Sequence, residues 1–216
     1  MSGVNINKTF RIKFEKAGVA KYISHLDLQR VFSRSLTRSG IELMYSEGFN
    51  PRPKISFVSA ISLGVESLCE LADIKIAEDL TETQVFEKTK DVFPQGINIR
   101  EVYEPKTDFK NIDRTKYNIF ITADGFAVED FNKLFEGDIW FEKKPGTTAN
   151  LKDYICEIAI SGEPRENKLI QAVVKTNPEL YLNPENIIKI ISVKYTIDDY
   201  SIQKVEIYDK NNRIFR

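Results

Sequence analysis

The sequence predicts an α+β protein of two tandem ferredoxin-like (βαββαβ) domains, the second irregular and carrying an extra hairpin. Three observations lead there. Hydrophobic periods in the first hundred residues read strand, helix, strand, strand, helix, strand. A polar, irregular stretch from 105 to 115 then interrupts that order, and a looser version of it follows. The 216 residues, 42% hydrophobic and 29% charged, suffice for one large or two small cores and are too apolar for a disordered chain. The domains are expected at 1–105 and 116–216.

Phe10, Ile12 and Phe14 alternate with Arg11, Lys13 and Glu15, the period of a half-buried strand. Ser24-His25-Leu26-Asp27 supplies a helix N-cap with an acid three residues on, and Gly40 stops a helix running to Ser39. Residues 41–54 hold Gly48, Pro51 and Pro53 and read as a long loop. Strands are expected over 55–63 and 68–76, joined across 64–67. A second helix opens at Thr81-Glu82-Thr83-Gln84, uses Val85, Phe86 and Phe93 as apolar anchors and ends at Pro94. Ile97, Ile99 and Val102 mark the next strand.

In the second half, 117–122 reads as a strand. A helix carries Val128, Phe131, Leu134 and Phe135 and closes at Gly137. Residues 139–143 form a strand, and 154–160 pairs with 169–175 across 162–167. Asn183-Pro184 opens a helix with Ile187, Ile188, Ile190 and Ile191, and strands fill 193–208.

Composition excludes several classes. Two cysteines, Cys69 and Cys156, and one histidine, His25, cannot make a disulfide scaffold, a zinc finger or an iron–sulfur cluster held by the chain's own thiolates. Both thiols are expected in the core, and Trp140 reads as a core or edge aromatic. No metal site or cofactor motif is expected. No apolar run approaches the ~18 residues of a membrane span, and the short polar start is not a secretory signal. The expectation is a cytoplasmic protein that does not contact a membrane.

Net charge is −1 from 31 basic and 32 acidic residues, but the charge is unevenly spread. Residues 1–60 hold ten basic side chains against four acidic ones, leaving 21 against 28 in the remainder. A basic quarter points to a polyanion at that end. Arg30, Arg34 and Arg38 recur every four residues and share one helix stripe, opened by Asp27, while Leu28, Phe32 and Leu36 form the core stripe. Behind the helix lies Tyr45-Ser46-Glu47-Gly48-Phe49-Asn50-Pro51-Arg52-Pro53-Lys54. Its prolines fix their own φ and bias their predecessors, so Arg52 and Lys54 are presented on stiff, extended chain. Tyr45 and Phe49 flank a glycine that permits close backbone approach. Cations for phosphate and rings for stacking form the composition that binds single-stranded or looped RNA. Arg30, Arg34, Arg38, Tyr45, Phe49, Asn50, Arg52 and Lys54 are therefore the candidate nucleic-acid residues. The bland alternative is an Ω-loop whose aromatics cap the core.

Four segments together resemble the radical-SAM-linked protein family: Lys13-Phe14-Glu15-Lys16, Ser24-His25-Leu26-Asp27-Leu28, 45–57 and Leu63-Gly64-Val65-Glu66-Ser67. The resemblance covers residues 9–75. It implies a radical SAM protein as partner and an RNA-related role, without supplying a reaction. Together with the charge pattern, the expectation is a non-catalytic accessory protein that binds RNA or ribonucleoprotein through a basic N-terminal groove. Two alternatives stand beside it. The chain is a protein-interaction subunit without RNA contact, its loop docking the enzyme. Or it is a metal-independent endoribonuclease, since its architecture resembles the CRISPR repeat-processing endoribonucleases. His25, with Tyr22 and Lys21 within four residues, would then supply the acid–base and cationic groups. Against that last reading, a histidine at the start of a helix also suits packing and a local hydrogen bond. Glu70 is expected on the strand face of Ala72 and Ile74 with Asp73 opposite, so the two do not form a catalytic pair. Glu66 reads as a counter-ion or turn residue.

Overall fold

The computed structural model describes residues 7–58, 61–162 and 167–216, and its architecture is α+β. The chain divides into two compact units, one reaching Phe109 and including Arg216, the other Lys110–Phe215. The first contains β1 (Lys8–Lys16), α1 (His25–Arg38), β2 (Ile55–Phe57), β3 (Glu66–Ile76), α2 (Glu82–Thr89) and β4 (Ile97–Tyr103). Its strands pair antiparallel in the order β4-β1-β3-β2.

The core follows from strand alternation meeting helix period. Phe10, Ile12 and Phe14 point to one face of β1, where Phe10 lies opposite Ile74 and Ile12 opposite Ala72. Leu28, Phe32 and Leu36 of α1 and Val85 of α2 bury against that same face. Phe32 is the hub. Its ring centroid lies 4.6 Å from Phe14, 5.0 Å from Phe57 and 4.7 Å from Phe93. Burying a side chain of this kind contributes ~1.5–3 kcal/mol.

Local chemistry sets the helix ends. Ser24 Oγ accepts the Asp27 backbone N–H, and Thr81 and Gln84 close a reciprocal capping box at α2. The regular turns of α2 stop at Thr89, turns continue over 90–92, and Pro94 biases its predecessor Phe93 away from helical geometry. Phe93 still reaches Phe32 from the following turn.

Two features place the segment before α1. A short 3-10 turn, Gly18–Tyr22, is anchored where the Ala17 N–H donates to the Gly96 carbonyl at 2.9 Å. Gly96 has φ +90°, and a Cβ there would lie 2.5 Å from the Ala17 oxygen and 2.8 Å from Ala20 Cβ. Beneath the turn, buried Lys16 donates to the carbonyls of Lys21 (3.3 Å) and Ile23 (3.2 Å). Burial lowers its pKa, and the charge of buried Glu70 acts in the opposite sense.

The strand expected over 55–63 is much shorter. Ile55–Phe57 pairs with β3, Val58 N–H adds one bond to the Leu71 carbonyl, and residues 59 and 60 lie outside the described residues. Beyond them Gly64 N–H donates to the Lys21 carbonyl, which turns the chain toward the 3-10 segment. β3 starts at Glu66, two residues before the expected start.

The second unit contains β5 (Ile112–Ala123), α3 (Val128–Glu136), β6 (Trp140–Lys144), β7 (Thr147–Asn150), β8 (Ile155–Ser161), β9 (Lys168–Lys175), α4 (Glu185–Ser192) and β10 (Ile197–Asp209). Its antiparallel sheet runs β10-β5-β9-β8, and β6 and β7 form a separate two-stranded ribbon. Phe131 of α3 and Ile187, Ile188 and Ile191 of α4 are buried, as are Ile119 and Ile121 of β5. The turn expected over 162–167 falls partly on 163–166, outside the described residues. Two boundaries differ from expectation. β5 reaches back to Ile112, into the segment read as linker, because buried Asp113 finds partners there in Lys175, Arg114 and Asn177. The final strand begins at Ile197, because Val193, Lys194 and Tyr195 donate back to Ile190 and Ile191 and prolong the end of α4. Among the described residues no helix is long and apolar enough to cross a membrane.

Candidate nucleic-acid interface

A groove of about 400 Å³ runs along α1. Leu26, Gln29, Arg30, Ser33 and Arg34 form the helix wall, Arg52 and Pro53 come from the loop, and Ile55 and Phe57 come from β2. Each set follows from its period. Residues 26, 30 and 34, and 29 and 33, lie four apart and share a helix face. Pro53, Ile55 and Phe57 alternate along extended chain and point the same way. The floor is therefore apolar and the walls cationic, with no carboxylate among the lining residues.

The loop that carries Arg52 is a small antiparallel finger. Met44 N–H donates to the Lys75 carbonyl and Lys54 N–H to the Met44 carbonyl, each at 2.8 Å. Tyr45 bridges Pro53, Ser46 N–H donates to the Arg52 carbonyl at 2.8 Å, and Arg52 N–H donates to Ser46 Oγ at 3.0 Å. These bonds satisfy the backbone around two prolines that lack a donor of their own. Gly48 takes φ +114° at the tip, a conformation that L side chains rarely adopt. Phe49 next to it is fully exposed, and Tyr45, Asn50, Arg52 and Lys54 are also exposed or nearly so.

The candidate cations differ in what holds them. Arg30 Nη1 pairs with Asp27 at 2.9 Å, and Asp27 is held below the usual carboxylate range by hydrogen bonds from Ser24 and Arg30. Among the described residues the Arg34 and Arg52 guanidiniums have no ion-pair or hydrogen-bond partner. Arg38 is turned elsewhere: Nη2 donates to Ser35 Oγ at 3.0 Å and to the Val92 carbonyl at 2.8 Å, tying α1 to the turn after α2. Thus Arg30, Arg34 and Arg52 share the groove, while Arg38, Tyr45, Phe49, Asn50 and Lys54 do not line it.

His25 packs edge-on to Phe57, with ring centroids 5.6 Å apart, and its Nε2 lies 3.1 Å from Gln29 Nε2. Lys21 Nζ is 3.5 Å from Glu66 and lies over the Tyr22 ring, which is itself largely exposed. Of the three residues of the nuclease alternative, Lys21 and Tyr22 are therefore in contact with each other, while His25 has Phe57 and Gln29 as its neighbours. Glu66 also accepts the Gly18 N–H. Asp73 pairs with buried Arg11 at 2.7 Å, away from buried Glu70. Cys69 is buried and Cys156 half-buried, while Trp140 is largely exposed on the β6–β7 ribbon. Sequence reasoning overlooked Gln29, Ser33 and the floor residues Ile55 and Phe57. The signal was present: Gln29 and Ser33 flank the arginine stripe, and Ile55 and Phe57 keep the phase of Pro53.

No curated protein sequence matches the chain significantly. Among solved structures, a chain of a Cbf5–Nop10–Gar1 complex is similar at a TM-score of 0.51 and 10% identity, over 92% of this chain and 48% of that one. A chain of the archaeal box H/ACA sRNP Nop10–Cbf5 complex is similar at a TM-score of 0.47 and 11% identity, over 90% and 46%. This chain thus spans about half the length of each of those two chains, and the likeness is one of fold. The model of a family described as uncharacterized protein conserved in bacteria, DUF2344, matches residues 9–184, and the chain belongs to that family.

Proposed function

We propose that this DUF2344 protein is a non-catalytic accessory subunit that binds RNA or ribonucleoprotein in the groove between α1 and the 45–54 loop, on behalf of a radical SAM enzyme. The observation that carries the reading is the convergence of Arg30, Arg34 and Arg52 on one groove with an apolar floor. Guanidiniums bind phosphate bidentately, and rings beside them give bases a stacking partner worth ~1–3 kcal/mol each. Arg34 and Arg52 make no internal ion pair among the described residues, so a phosphate does not have to displace one. The finger's cross-strand bonds hold Arg52 in place beforehand and reduce the ordering cost of binding. The radical SAM partner rests on the resemblance across residues 9–75. The strand order in each unit, with both helices buried on one face in the first, supports reading the units as ferredoxin-like.

Fluorescence anisotropy with labelled single-stranded RNA tests the groove. Affinity is expected to fall steeply with salt. The Arg34→Ala/Arg52→Ala double variant is expected to bind at least about tenfold more weakly, with a log–log salt slope shallower by about 1.4, or ~0.7 per lost phosphate contact. Absence of binding at low ionic strength would overturn the proposal.

The fully exposed Phe49 favours a second reading, in which the finger docks a protein. Co-purification with the radical SAM enzyme that survives nuclease treatment and is lost in Phe49→Ala supports that reading; loss with nuclease alone supports the first.

A further inference from the structure

We infer that the groove holds one unstacked nucleotide of single-stranded RNA, its base on the Ile55–Phe57 floor and its edge read by Gln29, with adenine preferred. This deepens the RNA reading above and rests on it. Phe57 is a rigid platform. Three rings meet it nearly perpendicular, His25 at 5.6 Å, Phe32 at 5.0 Å and Phe14 at 6.4 Å, so its orientation is fixed before any ligand arrives. A ring already ordered loses little freedom on binding.

Gln29 stands on the helix wall above that floor. Its Nε2 lies 3.1 Å from His25 Nε2, so one N–H is given to the imidazole and the amide plane is held. The carbonyl oxygen and the second N–H remain, an adjacent acceptor and donor. Adenine offers the complement, N6–H₂ and N7, which Gln takes bidentately. Guanine at the same edge offers two acceptors and leaves the Gln29 oxygen facing another oxygen. Arg34 and Arg52 flank the same space and meet the phosphates on either side of the base. A single groove of about 400 Å³ suits one nucleotide, whereas double-stranded RNA is recognised across successive grooves over ~16 base pairs.

The test uses the full chain and labelled heptauridylates carrying one central adenosine, guanosine or abasic residue, together with the adenosine strand paired to its complement. The adenosine strand is expected to bind about tenfold tighter than the abasic and duplex forms, and several-fold tighter than the guanosine form. Gln29→Leu, an exposed position that leaves the core intact, is expected to erase the adenine preference while the salt slope stays unchanged. In NMR the Gln29 side-chain amide and the Phe57 ring signals are expected to shift on saturation with the adenosine strand. Equal binding of intact, abasic and paired strands would overturn this inference and leave RNA binding standing. No binding of any strand at low salt would overturn the RNA reading itself.

Discussion

Asp113 shows how one carboxylate decides where a strand begins. Burial pushes its pKa up, but hydrogen bonds from Lys175, Asn177 and Arg114 outweigh that and hold it down at about 2, below an ordinary value of 3.8. A depressed folded pKa means that the stabilisation is complete above about pH 4 and is lost as pH falls toward 2. The difference is worth ~2 kcal/mol. Asp113→Asn is therefore expected to unfold more readily in urea at pH 7 by about that amount. It should also show a flatter stability profile between pH 4 and 2 than the unaltered chain; parallel profiles would refute the assignment. Gly96 is the second informative residue. With φ +90° and the Ala17 oxygen in the way, Gly96→Ala is expected to cost at least ~1–3 kcal/mol in denaturant unfolding. Neither effect is legible from neighbouring sequence, since Lys175 lies 62 positions from Asp113.

α1 is the element most fully written in its own residues. The Ser24 cap, the acid at Asp27 and the stripe of Leu28, Phe32 and Leu36 are local, and the helix forms over His25–Arg38 as that pattern requires. Phe32→Ala removes the ring that Phe14, Phe57 and Phe93 share, and calorimetry or urea unfolding is expected to register a loss of ~3–5 kcal/mol. It also loosens the groove floor. Ser24→Ala, by contrast, is expected to cost only ~1 kcal/mol. The finger was half legible. Its prolines marked extended chain, but the return ladder from Tyr45 to Pro53 depends on Met44 bonding to β3, a contact between distant segments. β2 was overread for the same reason. Apolar alternation continues past Phe57, yet among the described residues the pairing with β3 goes no further than the single Val58 bond to Leu71.

For the molecule as a whole, net charge gives no reason to bind a polyanion, since the total is −1. Any RNA affinity then comes from where the cations sit. The expected consequence is that losing Arg34 and Arg52 abolishes most of the affinity, which competition with heparin at rising salt would measure. A chain that bound through diffuse charge would lose only a small fraction.

The residues alone settled where the four longer helices lie, where α1 is capped, and that three arginines share a stripe, while several strand bounds escaped them. These depend on burial period and on hydrogen bonds between near neighbours, which any folded context preserves. Only the tertiary structure decided that Arg34 and Arg52 line one groove with Phe57 while Arg38 is bound to the Val92 carbonyl, and that β5 reaches back to Asp113. A side chain's partner is chosen among groups brought near by chain far away in sequence. That choice leaves no local period to read.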